Sequence, residues 1–217
     1  MPGMRIAVIG ASGWLGGAIT REALARGHQV TAIARDRAKL GEIDGANPAI
    51  ADATDGATLM PVLLGHDAVV AAVTDRSDPD RSVITDAART LIMAAPASSV
   101  PRIAWVGGGG SLRSPDGGRF VDQPDFPDEY KAEALAQAAA LALFRAAPAG
   151  VDWTYLSPPA HELLPGDKQG GYRVAGGEEP VMAPDGSSRI TSGDFASAMV
   201  DELERPQFSR RRFTVGY

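Results

Sequence analysis

The chain runs to 217 residues, 44% of them hydrophobic, carries a net charge of −6 and contains no cysteine. This size suits one domain with a substantial core, and the missing cysteines exclude disulfides, thiolate metal sites and cysteine nucleophiles. The acidic balance speaks against nucleic acid, which requires a basic face, and no apolar run approaches membrane-spanning length.

The three histidines, His28, His66 and His161, show no metal-ligand spacing, so no metal site is expected. The opening Met1-Pro2-Gly3-Met4-Arg5 leads straight to a strand without a signal-peptide pattern, and a cytoplasmic protein is expected. Ile6-Ala7-Val8-Ile9 is that strand, and a helix over residues 14–26 closes at Gly27. Residues 30–34 form a second strand, 37–40 a short helix and 49–51 a third strand. Another helix precedes the apolar run 68–73, the fourth strand; a long helix lies within 80–95, and 102–106 is the fifth strand. Short, near-continuously apolar strands alternating with helices predict a parallel sheet covered on both faces.

Residues 107–125, rich in Gly, Pro, Asp and Ser, read as a long loop. Pro127-Asp128-Glu129 then opens a helix, with proline early and acids at the positive end of its dipole, and the helix runs to about Ala146. Residues 152–156 are the sixth strand. Beyond it 170–188 carries short strands with glycine turns, 194–203 is helical and 212–215 is a last strand. The basic run Arg210-Arg211-Arg212 beside that strand reads as a solvated edge.

Gly10-Ala11-Ser12-Gly13-Trp14-Leu15-Gly16 spells G-x-x-G-x-x-G between the first strand and the first helix. Gly10 permits a tight turn, Gly13 lets backbone approach a pyrophosphate, and Gly16 allows close packing of helix on strand. The helix N-terminus then offers unpaired N–H groups and a positive dipole to phosphates. With the alternation above, this predicts an α/β fold: a Rossmann-type doubly wound parallel sheet with a small C-terminal elaboration. Residues 1–217 are expected to be one domain, with about 158–217 on the substrate side. Ser12, Trp14 and Leu15 join the glycines as cofactor-binding candidates. Trp14 has three uses open to it: flanking the cofactor, covering the substrate pocket, or packing.

The second strand ends Ala34-Arg35-Asp36. Arg35 alternates with Ile33 and Thr31 and emerges where a 2′-phosphate would lie, which favours NADP over NAD. Asp36 suits the cap of the following short helix, or in the NAD alternative a ribose. Asp52 and Ala53, ending the third strand, and Ala72 and Val73, ending the fourth, stand at strand C-termini, where ligands bind in open α/β sheets. Asp52 is a candidate for the adenine amino group or a simple helix cap.

Taken together, the glycine loop, Arg35, Asp52-Ala53-Thr54, the segment Val106-Gly107-Gly108-Gly109-Gly110-Ser111-Leu112, Phe126-Pro127-Asp128-Glu129-Tyr130-Lys131, Asp152-Trp153-Thr154-Tyr155-Leu156-Ser157-Pro158 and Arg212-Phe213-Thr214-Val215 resemble the atypical short-chain dehydrogenase/reductases. Within them the chain is similar to the NAD(P)H-binding group that includes proteins described as NADH-flavin reductases and resembles biliverdin-IXβ reductase. The resemblance implies a Rossmann fold, NAD(P)H binding and a redox activity.

Typical members of that superfamily use Tyr-x-x-x-Lys, in which a lysine one helical turn on lowers the tyrosine pKa. Here the pair is adjacent, Tyr130-Lys131, and neighbouring helical residues project about 100° apart. An alcohol-dehydrogenase mechanism is therefore not expected. Hydride transfer to a flavin or another flat conjugated acceptor needs ring stacking and water exclusion more than an acid. Gly107, Ser111, Tyr130, Ser157 and His161 are candidates to line that site, with Tyr130 and His161 as proton donors. The expected partner is a small-molecule acceptor, with flavin as the candidate, and no nucleic acid and no membrane. The rival expectation is a non-enzymatic NADP(H) redox sensor of the NmrA type.

Overall fold

The structure is a computed structural model describing residues 3–40 and 43–217; Met1 and Pro2, part of the stretch expected to lead into the first strand, lie outside the described residues. The first half alternates strictly: β1 (Arg5–Ile9), α1 (Trp14–Ala25), β2 (Gln29–Ala34), α2 (Arg37–Leu40), β3 (Asn47–Ile50), α3 (Gly56–Leu63), β4 (Ala68–Ala71), α4 (Ser82–Ala97) and β5 (Arg102–Val106). Then come a single 3-10 turn (Phe120–Asp122), α5 (Asp128–Arg145), β6 (Asp152–Ser157), β7 (Glu162–Leu164), β8 (Arg173–Gly176), β9 (Arg189–Thr191), α6 (Ser192–Glu204) and β10 (Arg211–Gly216).

The main sheet has the order β3-β2-β1-β4-β5-β6-β10-β8. All neighbours are parallel except β8, which runs antiparallel to β10. The strand order reverses between β1 and β4, the switch point at which doubly wound sheets bind ligands. The C-terminal elaboration is one edge strand of this sheet plus a separate parallel pair, β7 with β9.

Both faces of the central strands are covered, so β1, β4 and β5 read as near-continuous apolar runs rather than alternating, whereas the edge strands β3 and β8 are largely exposed. One face packs α1 and α6 over Ile6, Val8, Val30, Ile190 and Phe213. The other packs α3, α4 and α5 over Ala7, Ile33, Val69 and Trp105. Phe144 of α5 lies between Trp105 and Trp153, with ring centroids 5.2 and 5.7 Å away, so both strand tryptophans belong to the core. Burying an aromatic side chain of this kind contributes roughly 1.5–3 kcal/mol.

Several expectations need correction. The fourth strand stops at Ala71, so Ala72 and Val73 lie in the loop beyond it. Helix α6 starts at Ser192, because Thr191 caps it by accepting from Asp194 N–H at 3.2 Å. The expected loop 107–125 contains the 3-10 turn. The basic run is not a solvated edge. Arg212 is 3% exposed, and Arg210 donates to the carbonyls of Ala147 and Pro148 behind α5 at 2.9 and 2.8 Å. Only Arg211 of the three is exposed.

Candidate functional site

The glycine loop joins β1 to α1 at the switch point. Gly10 has φ +79°, and a Cβ there would meet the Ala72 carbonyl at 2.1 Å. A Cβ on Gly16 would meet the Gly10 carbonyl, also at 2.1 Å. These two glycines are therefore required by packing. Gly13 differs: the nearest atom to its Cβ would be Gly10 O at 3.2 Å, a contact that a small shift relieves. Gly13 is also the N-cap of α1 and has no side-chain cap, and no acid occupies the first turn. The helix thus turns a bare, positively polarised end outward.

That end opens into a cleft of about 830 Å³ running along the C-terminal edges of β1, β4, β5 and β6. One wall is Gly13, Trp14, Leu15 and Gly16; the floor includes Ala72, Val73, Val106 and Gly107. The far end is formed by Phe120, Phe126, Tyr130, Ala134, Pro158, Pro159 and His161. Of the sequence candidates, Gly13, Trp14, Leu15, Gly16, Ala72, Val73, Gly107, Tyr130 and His161 come together here. Trp14 and Tyr130 are each half exposed at its mouth.

Others do not line the cleft. Ser111 and Ser157 are buried and face Arg212, which donates to Ser157 Oγ at 2.8 Å and to Ser111 Oγ at 3.1 Å. The same guanidinium reaches the Ser111 carbonyl at 3.0 Å and Glu178 at 2.9 Å. Burial pushes the Arg212 pKa below its ordinary value, against the pull of Glu178. Gly10 opens the loop outside the cleft lining, Ala53 packs in the core, and Ser12 is exposed beyond the lining.

Arg35, just past β2, donates to Asp75 Oδ2 at 2.8 Å. The Asp75 pKa is held well below the usual carboxylate range, first by the Ser77 hydroxyl and then by Arg35. Asp36 accepts from Ala38 N–H at 2.9 Å and so caps α2, as expected. Asp52 accepts from the backbone and hydroxyl of Thr54, each at 2.8 Å, closing a local turn. Asp55, not Asp52, caps α3.

Tyr130, Glu133, Ala134 and Gln137 share the face of α5 toward the cleft, whereas Lys131 is exposed outside its lining. The position one turn beyond Tyr130 is thus an alanine. His161 accepts from Ser188 N–H through Nδ1 at 3.2 Å, which fits a neutral ring protonated on Nε2. Its ring meets Phe120 edge-on, with centroids 6.0 Å apart. Sequence reasoning missed Asp75, Phe120 and Arg212. Only the aromatic character of Phe120 was a signal; the other two are charges in loops or charge runs.

A bare helix N-terminus behind a glycine turn, at the switch point of a doubly wound sheet, defines a dinucleotide-binding α/β protein. A family model described as NAD(P)H-binding matches residues 10–206, and the chain belongs to that family. This agrees with the resemblance to the atypical short-chain dehydrogenase/reductases. The uncharacterized protein YwnB of Bacillus subtilis is 35% identical over 214 residues, covering 98% of each chain. Two solved structures are each 33% identical. One, from Streptococcus pneumoniae and provisionally named an NADH-flavin reductase, has a TM-score of 0.86 and covers 99% of both chains. The other, from Bacteroides thetaiotaomicron and provisionally named an epimerase, has a TM-score of 0.87 and covers 99% of this chain and 97% of that one.

The residues present fit a nicotinamide dinucleotide. Gly13 offers a cradle that no packing contact requires, α1 presents unpartnered N–H groups, and the cleft continues from them to an aromatic end. No helix among the described residues is long and apolar enough to cross a membrane.

Proposed function

We propose that this protein is an NADPH-preferring oxidoreductase that reduces a flavin or another flat conjugated acceptor. The observation that carries the reading is the make-up of the cleft that opens from the glycine loop. Its glycine end, with Trp14 in the wall, suits a pyrophosphate, and its other end is walled by Phe120, Phe126, Tyr130 and His161. Aromatic and proline walls favour a planar ring through stacking and burial. When bound, the reduced nicotinamide supplies the hydride. The chain's part is to hold the acceptor ring in place, exclude water, and offer the Tyr130 hydroxyl as proton donor and the His161 Nε2–H as a hydrogen-bond donor. Gly107 and Val73 border the middle of the cleft, and Arg35, just past β2 and paired with Asp75, is the cation we assign to a 2′-phosphate.

The epimerase name of one relative finds no support in the cleft, where Ala134 stands at the place of the expected lysine. That same absence favours a second reading, a non-enzymatic NADP(H) redox sensor of NmrA-like type. NADPH titration followed by a turnover screen with flavins and quinones separates the two. Turnover supports the reductase, and tight binding without turnover supports the sensor.

A further inference from the structure

Arg35 already holds an anion supplied by the chain itself. Asp75, in the loop after β4, accepts from Arg35 Nη2 at 2.8 Å although the two residues are 40 positions apart. Its other oxygen, Oδ1, accepts from Ser77 N–H at 3.0 Å and from the Ser77 hydroxyl. The carboxylate is therefore fixed by its own turn and presents its free oxygen to the guanidinium. Thr74 and Arg76, on either side of Asp75, line the dinucleotide cleft, so the pair stands beside the cleft, just outside its lining.

We propose that Asp75 is a cofactor-specificity residue, an internal competitor that holds Arg35 and yields it to the 2′-phosphate of NADPH. The inference rests on the reading that Arg35 receives that phosphate. The pair can be exchanged because it is open to solvent, with side chains 50% and 21% exposed, and ion pairs in such settings are weak. A phosphate monoester brings up to two charges and three acceptor oxygens, against one charge and one available oxygen on Asp75. NADH carries no such group and leaves the pair intact. Asp75 thus lowers affinity for the phosphorylated cofactor alone, and the chain's preference for NADPH is smaller than Arg35 by itself would set.

Asp75→Asn tests this, because the amide oxygen still accepts from Ser77 while the competing charge is gone. Calorimetry measures NADPH, NADH and the fragment 2′,5′-ADP on the wild type, Asp75→Asn, Arg35→Ala and the double variant. The expected result is about two- to fivefold tighter binding of NADPH and 2′,5′-ADP to Asp75→Asn, with NADH unchanged. In the Arg35→Ala background the same substitution should have no effect. Weaker NADPH binding by Asp75→Asn would show that Asp75 positions Arg35, and unchanged binding would show that it does not compete; either overturns the proposal. Equal tightening of NADH, or tightening that persists without Arg35, would reduce the effect to general electrostatics and also overturn it. An Arg35→Ala variant with undiminished NADPH affinity would instead remove the 2′-phosphate reading, and this inference with it.

Discussion

The Arg212 guanidinium of β10 donates to the Ser157 hydroxyl of β6 at 2.8 Å, in a pocket that leaves the arginine side chain 1% exposed. With its bonds to Ser111 and Glu178, it ties together the loops behind the aromatic end of the cleft. Arg212→Met keeps the bulk and leaves several buried acceptors unpaired. It should destabilise the protein by about 2–4 kcal/mol, read as a lower urea midpoint with unchanged m. Arg212→Lys should fall between, since one ammonium cannot replace the guanidinium fork. A midpoint unchanged in both variants would show that the cluster contributes nothing to stability.

This arginine also marks where sequence reasoning stops. The glycine loop, the α/β alternation and the Asp36 cap were legible because each depends on neighbours within a few residues. The burial of Arg212 depends on β10 lying between β6 and β8, and its partners Ser157 and Ser111 are 55 and 101 positions away. A run of three arginines looks solvated until that strand order is known. The Arg35–Asp75 pair hides for the same reason, since β2 and the loop after β4 meet only through β1. By contrast, the unsuitability of Lys131 as a partner of Tyr130 followed from helical geometry alone, and the structure places it outside the cleft lining.

Gly13 and Gly16 of the loop should separate in their effects. Gly13→Val asks the Gly10 carbonyl, 3.2 Å from the new Cβ, for only a small shift, and should abolish NADPH binding in calorimetry while retaining the wild-type circular dichroism. Gly16→Val drives a side chain into the Gly10 carbonyl and should destabilise the fold itself. Normal NADPH binding by a folded Gly13→Val variant would place the phosphate site elsewhere.

Acid sensitivity should track Asp194. Burial opposes its charge, but the Tyr217 hydroxyl and the N–H groups of Gln169 and Gly170 outweigh that and hold its pKa below the ordinary carboxylate value. A group with a depressed folded pKa stabilises fully above its unfolded value, near 4, and loses that contribution as pH falls through the folded one. Asp194→Asn should therefore cost about 1–3 kcal/mol at neutral pH and make the remaining stability less dependent on pH below about 4. Parallel pH–stability curves for variant and wild type would contradict this.

Tyr130 and Lys131 should behave as unlinked residues. Lys131→Ala should keep activity within roughly tenfold of wild type, since loss of a true catalytic acid or base costs about 10²–10⁴-fold. Tyr130→Phe keeps the ring at the mouth of the cleft and should likewise be mild if positioning dominates. A large fall in kcat with unchanged NADPH affinity would make the Tyr130 hydroxyl the proton donor. A comparable fall for Lys131→Ala would contradict the helical-spacing argument.

The most direct test of the reductase reading is turnover by the wild-type protein. Purified protein is saturated with NADPH, and loss of the reduced-nicotinamide absorbance is followed on addition of riboflavin, FMN, FAD and simple quinones. The account predicts multiple turnovers with at least one of these planar acceptors, and slower turnover with Trp14→Ala, which opens the cleft mouth. Tight NADPH binding with no turnover of any of them would contradict it and leave the redox sensor as the better description.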